Sequence, residues 1–200
     1  GWEYSAPFDD LEAQSELGGY PIRNDDLADK GNCGKTEHRV IDPGKDNLGN
    51  DIVVAGEGTG IVHMAPGCGD IDHKVGKKIE TVSIAPLDEE SKFTDKFGWL
   101  SGKKATSEQT IDEIINYLKE KNYLIYVEDY PHIYPHCWRS GDELVFRLVD
   151  EWYINMEWRD DIINTVDEIN WIPSWGSDRE KEWLTSMGDW MISKKRFWGL

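Results

Sequence analysis

The chain has 200 residues, of which 38% are hydrophobic and 30% charged, and it carries ten tryptophans. This is enough chain and enough bulky apolar surface for one ordinary folded domain with an appendage, which excludes a disordered polymer. A net charge of -17 argues against a protein that grips nucleic acid along a broad basic face.

The first residues, Gly1-Trp2-Glu3-Tyr4, lack the basic and apolar regions of a signal peptide. No later stretch reaches the roughly 20 apolar residues that cross a bilayer, so a cytoplasmic protein without a membrane partner is expected. Acidic residues crowd the opening (Asp9, Asp10, Glu12, Glu16, Asp25, Asp26, Asp29) around isolated anchors Trp2, Tyr4, Phe8 and Leu11. Irregular structure covering a sheet is expected there, turning at Gly18-Gly19-Tyr20-Pro21. Asp42-Pro43-Gly44 and Leu48-Gly49-Asn50 bracket a second turn-rich stretch. Residues 52–55 and 61–65 then read as short neighbouring strands. Ile71, Val75 and Ile79 recur every fourth residue and predict a helix from Asp70 to Ile79, followed by a strand over 81–85.

A further helix is marked by a capping box of Thr106 with Gln109 and an apolar face of Ile111, Ile114, Ile115 and Leu118. Strands are expected over 123–130 and 145–154, with a proline-punctuated aromatic segment from Pro131 to Trp138 between them. Two short helices follow, over 160–169 and 177–187. Short strands with interposed helices make an α+β class with a barrel-like mixed sheet the expected fold. Cys33, Cys68 and Cys137 are odd in number and contain no Cys-x-x-Cys pair, so neither a disulfide framework nor a four-cysteine zinc site is indicated. Lys194, Lys195 and Arg196 offer one local basic contact near the end.

Reactive side chains are densest between Gly58 and His73. A dinucleotide fingerprint fails on spacing, because His63 stands where a glycine is required, and no Gly-Lys-Ser/Thr run completes a phosphate loop. His63, Cys68, Asp72 and His73 are competent metal ligands whose spacing matches no zinc pattern. His63 as a strand histidine and Asp72 as an acid favoured by a helix dipole is the plainer reading. The residue types alone leave those last two readings open.

The run Gly58-Thr59-Gly60-Ile61-Val62-His63, then Ala65-Pro66-Gly67, Gly69 and Asp72, closely resembles the editing-site signature of isoleucyl-tRNA synthetases. Valyl and leucyl relatives differ at His63 and usually follow with Pro-Ala-His-Asp. Further likeness lies in Pro7-Phe8-Asp9-Asp10-Leu11, Ala85-Pro86-Leu87-Asp88, Phe97-Gly98-Trp99-Leu100, Tyr134-Pro135-His136-Cys137-Trp138-Arg139 and the stretch from Trp190 to Leu200. The resemblance implies a class I synthetase editing-domain fold over 1–130 and a return segment toward the aminoacylation core over 131–200.

It also implies hydrolysis of valine mistakenly esterified to the tRNA for isoleucine. Asp72 would hold the α-ammonium, and His63 would border the substrate side chain. Gly58, Thr59, Gly60, Ala65, Pro66, Gly67 and Gly69 would meet the terminal adenosine and the ester. Editing would need no cofactor, whereas the complete enzyme would use ATP and magnesium. Cys68 and His73 stand where family members often have histidine and an aromatic residue. The threonine-rich strand that lines the pocket in relatives is not within this chain, so the pocket is expected to lack one wall. Some members bind zinc through a Cys-x-x-Cys after the Tyr-Pro-His motif; here Ser140 replaces the second cysteine, and no zinc is expected. A catalytically silent tRNA-positioning piece and an unrelated metal-dependent hydrolase are the alternatives. Most of Trp138, Trp152, Trp158, Trp171, Trp175, Trp183, Trp190 and Trp198 are expected to pack rather than stack on bases.

Overall fold

The computed structural model describes residues 2–46, 49–56 and 58–193. The chain divides into two compact units, Gly1–Leu148 and Val149–Leu200. The boundary lies within residues 145–154, expected as a strand but paired only at Tyr153–Ile154, and is later than the functional boundary drawn at 130. Lys194, Lys195, Arg196 and Trp198 fall outside the described residues.

The first unit is built around Leu11, Ala13, Phe97 and Leu100, with Phe8, Tyr20, Ile84, Phe93, Trp99 and Ile114 packed against them. Each fully buried Leu or Phe contributes about 1.5–3 kcal/mol, so this cluster holds together segments far apart in sequence. Its helices are α1 (Asp25–Asp29), α2 (Asp70–Lys78) and α3 (Glu108–Glu120), with 3-10 turns at Glu12–Ser15, Gly34–Thr36 and Asp95–Leu100. Residues 81–85 run extended into this core. Tyr20 donates its N–H to Ser83 O at 3.1 Å, and Ala85 donates to Tyr20 O at 2.7 Å, giving one parallel bridge between Tyr20 and Ile84. That bridge fixes the backbone on which the candidate site rests.

α3 forms where its periodicity places it, but its cap shifts by one residue. Ser107, not Thr106, accepts the N–H of Thr110 through its side chain. Thr110 is thereby buried to 2% exposure, while Ile111 is 45% exposed. Tyr117 on this helix brings its hydroxyl 2.8 and 2.9 Å from the two oxygens of Asp10 and 3.1 Å from Pro7 O. Burial, and next its bond to the Asp10 carboxylate, push the Tyr117 phenol from 10.0 up to about 12. A phenol raised in the folded state contributes stability fully below its unfolded pKa and loses it as pH climbs through the folded one. Urea midpoints measured against pH should therefore fall between pH 10 and about 12, and Tyr117→Phe should flatten that limb.

The second unit contains α4 (Arg159–Val166), α5 (Gly176–Ser186) and an antiparallel pair, β1 (Tyr153–Ile154) with β2 (Trp190–Met191). The register places Tyr153 opposite Met191 and Ile154 opposite Trp190. Its core is Met156, Val166 and Leu184, flanked by Trp171, whose indole N–H donates to Val166 O at 2.9 Å. This core is too small to cover the other indoles. Trp152, Trp158, Trp175, Trp183 and Trp190 there, and Trp138 in the first unit, are all at least half exposed, against the expectation that most pack.

The barrel-like expectation is not met. Among the described residues the one sheet is open and two-stranded, and the class is α+β with mixed helix and small sheet. Residues 52–55, 61–65 and 123–130 have strand-like composition but no partner ladder. Lys45 and Asp51 make a single antiparallel bridge, and Ile61, Val62 and Ile125 are largely exposed. A strand is completed by hydrogen bonds to another segment, so composition alone does not create one. No helix among the described residues is long and apolar enough to cross a membrane.

Candidate functional site

The site is a turn that feeds a helix. Cys68 donates its N–H to Ala65 O at 2.9 Å, closing a tight turn through Pro66 and Gly67. Gly69, in extended conformation, is the N-cap of α2, and Asp72 stands in the first helical turn. A carboxylate is favoured there by the unpaired N–H groups of the helix start. Asp72 uses one oxygen, Oδ2, to accept the N–H of Ala65 at 3.0 Å. His73 places Nδ1 3.1 Å from Pro66 O; a carbonyl only accepts, so Nδ1 is the donor.

Two glycines set the packing by lack of volume. A Cβ on buried Gly67 would lie 1.9 Å from Ile84 O and 2.4 Å from Ile84 C. One on Gly76, within α2, would lie 2.8 Å from Pro66 Cβ. The turn thus sits directly on the bridged backbone at Ile84 and on its own helix. Val75 is buried, whereas Ile71 is 51% exposed, because the turn covers only the Val75–Gly76 side of α2.

The preceding residues behave differently. Gly58 and Gly60 have φ of +54° and +72° with nothing near a notional Cβ, so their role is conformational. Thr59 folds its hydroxyl onto its own backbone, accepting from Ile61 N at 3.2 Å and donating to Ile61 O at 3.1 Å. His63 is exposed. The structure therefore gathers Ala65, Pro66, Gly67, Gly69 and Asp72, while among the described residues no hydrogen bond joins Gly58, Thr59, Gly60 or His63 to Asp72. Nor do any three His, Cys, Asp or Glu side chains among those residues converge to hold a metal ion. Burial, and next the charge of Asp72, push the Cys68 thiol up, which suppresses the nucleophilic thiolate.

Residues 10–200 match the family described as tRNA synthetases class I (I, L, M and V). The chain belongs to the class I tRNA synthetases. It is 33% identical over 201 residues to the isoleucine–tRNA ligase of Sulfolobus acidocaldarius, an alignment covering 100% of this chain and 17% of that protein. The isoleucine–tRNA ligase of Petrotoga mobilis is 36% identical over 169 residues, 83% of this chain and 18% of the relative. That of Ehrlichia canis is 41% identical over 162 residues, covering 74% and 14%. The chain thus spans under a fifth of the length of these curated relatives.

Sequence reasoning passed over two parts of this synthetase chain. The first is Glu37 with Thr81, behind α2, for which no local pattern exists because the partners are distant in sequence. The second is the knuckle at Cys137. There Cys137 donates its N–H to Asp142 O at 2.7 Å and accepts from Gly141 N at 2.8 Å. Hydrogen bonds from the Ser140 side chain, and then from the Ser140 and Arg139 backbone, lower the thiol to about 7. Cys137 therefore forms its thiolate more readily than Cys68, whose thiol is pushed up, while Cys33 is buried. Iodoacetamide at pH 7 should modify Cys137 first, as read by peptide mass spectrometry. Ser140→Ala should slow that modification by raising the thiol pKa.

Proposed function

We propose that this chain carries the editing site of an isoleucine–tRNA ligase, hydrolysing valine misattached to the tRNA for isoleucine. The observation that carries the reading is the Asp72 carboxylate, braced through Oδ2 by the Ala65 N–H and only partly buried. Its remaining lone pairs suit the α-ammonium of an aminoacyl ester, and a charge-assisted hydrogen bond there orients the ester carbonyl toward water. A pocket that reads one missing methylene gains only ~1–3 kcal/mol, which is why a second, hydrolytic site is needed.

On this reading His63 borders the substrate side chain and helps to reject isoleucine. Gly58, Thr59 and Gly60, in open space, meet the terminal adenosine, and the backbone of Ala65, Pro66, Gly67 and Gly69 lines the ester. Residues 1–130 form the editing domain and 131–200 lead toward the aminoacylation core, with tRNA and the rest of the synthetase as partners. ATP and magnesium serve adenylate formation in the complete enzyme. The described residues offer no fit for them, having neither a phosphate-loop pattern nor a convergent set of three metal-ligand side chains.

The test is deacylation of valyl-tRNA with and without a chelator. Chelator-resistant hydrolysis that Asp72→Ala removes supports the proposal. Chelator-sensitive hydrolysis favours a metal-dependent hydrolase, and binding without hydrolysis a positioning role.

A further inference from the structure

The helix that bears Asp72 is held from behind by a carboxylate distant from it in sequence. Glu37 follows the 3-10 turn Gly34–Thr36 and turns inward, its side chain 11% exposed. A carboxylate so placed is costly unless its oxygens are bonded. Here Oε1 accepts from Asn32 Nδ2 at 2.6 Å and Oε2 from Thr81 Oγ1 at 2.8 Å, with Arg39 Nη2 at 3.6 Å from Oε2.

Thr81 passes this anchor on to α2. It donates its N–H to Gly76 O at 3.0 Å, and its Cγ2 would lie 3.4 Å from a Cβ on Gly76. The same glycine presses on Pro66, which adjoins Ala65, the residue whose N–H Asp72 holds. A path of hydrogen bonds and close packing therefore leads from Glu37 through Thr81 and Gly76, whose missing Cβ leaves room for Pro66, to Ala65 and the Asp72 carboxylate. At the opposite side the turn abuts Ile84 through Gly67. The turn and α2 are thus clamped between two supports, and the Glu37–Thr81 bond is the one made by side chains.

We infer that Glu37 is a positioning residue for Asp72, setting where the carboxylate meets the α-ammonium of the ester; this rests on the editing reading above. Glutamine at 37 removes the charge and one of the two acceptor oxygens, leaving at best neutral hydrogen bonds where charge-assisted ones stood, and valine at 81 keeps the shape but removes the hydroxyl. Both should act through α2 on ammonium recognition and not on the fold at large.

The experiment compares Glu37→Gln, Thr81→Val and the double variant, in the protein as the cell makes it. The substrates are valyl-tRNA and the same tRNA esterified with 3-methylbutanoate, which lacks the ammonium. Each single variant is expected to raise KM for valyl-tRNA roughly tenfold with a smaller change in kcat, short of the ~100-fold that a full 1 Å misplacement costs. The double should be no worse than either single, since the two act through one contact. The des-amino ester should be cleaved as by wild type, and Glu37→Gln should add nothing to Asp72→Ala. Amide exchange at Ala65 should quicken while that of α3 stays unchanged.

Equal losses on both esters, a full additional loss in the Asp72→Ala background, or unaltered exchange at Ala65 would each overturn the inference. If Glu37→Gln fails to fold, Thr81→Val alone carries the same comparison. Impaired Asp72→Ala beside a normal Glu37→Gln defeats this inference and leaves the editing reading standing. Undiminished deacylation by Asp72→Ala defeats both.

Discussion

Asp72→Ala is expected to cut single-turnover deacylation of valyl-tRNA by about 100-fold, the scale at which a misoriented reacting group loses rate. Two functions of the side chain are removed together. One is the brace on the Ala65 N–H, whose loss leaves a backbone donor unanswered and costs about 1 kcal/mol of stability. The other is the negative charge that, on the proposed editing reading, meets the substrate ammonium. Asp72→Asn separates them, because an amide oxygen still accepts from Ala65 while the charge is gone. The asparagine variant should lower the urea midpoint less than alanine does, losing only the ~0.3–1 kcal/mol of helix-start charge, yet lose most of the rate. A fast Asp72→Asn enzyme would reduce Asp72 to a structural brace and remove the ammonium anchor from the mechanism.

Gly67→Ala should be the most damaging small substitution in the site. The added methyl would sit 1.9 Å from the Ile84 carbonyl oxygen and 2.9 Å from Ala85 N. Neither neighbour is the flexible end of a side chain. Relief requires moving the turn or breaking the bond from Ala85 N to Tyr20 O. Overpacking of this kind costs about 1–3 kcal/mol, occasionally more, and should appear as a lowered urea midpoint at unchanged slope. Gly60→Ala is the useful contrast. It has open space around the new methyl and only a φ of +72° to resist it, so its cost is confined to the ~1–2 kcal/mol of left-handed backbone. If both variants were equally stable, the contact between Gly67 and Ile84 would not be the support described above.

The helices were legible in the sequence because their information is local. α2, α3, α4 and α5 each carry periodic apolar residues or a start signal within a few positions. Even so, the capping box of Thr106 with Gln109 placed the start one residue early: Ser107 is the cap, and Thr110 turns inward in place of Ile111. Strand expectations over 61–65 and 123–130 failed because pairing depends on a second segment that composition does not announce. Asp72 was visible as a first-turn acid, and its hold on Ala65 spans seven residues, within reach of local reasoning. Glu37 was invisible. Its partners stand 5 and 44 residues away, and nothing in the run Lys35-Thr36-Glu37-His38 distinguishes a buried hub from a surface acid.

The contrast between the two halves of the motif bears on how this synthetase segment can change. Residues 65–69 share volume with Ile84 and with α2, so a new side chain there must be accommodated by main chain that also serves the core. Gly58 and Gly60 have open space where a Cβ would stand, and the Thr59 hydroxyl bonds to the nearby Ile61 backbone. On the proposed editing reading, selectivity can therefore drift, or be engineered, at Thr59 and exposed His63 with less disturbance to the core than at Gly67. The proposed anchor at Asp72, by contrast, is tied to the scaffold through the Ala65 N–H.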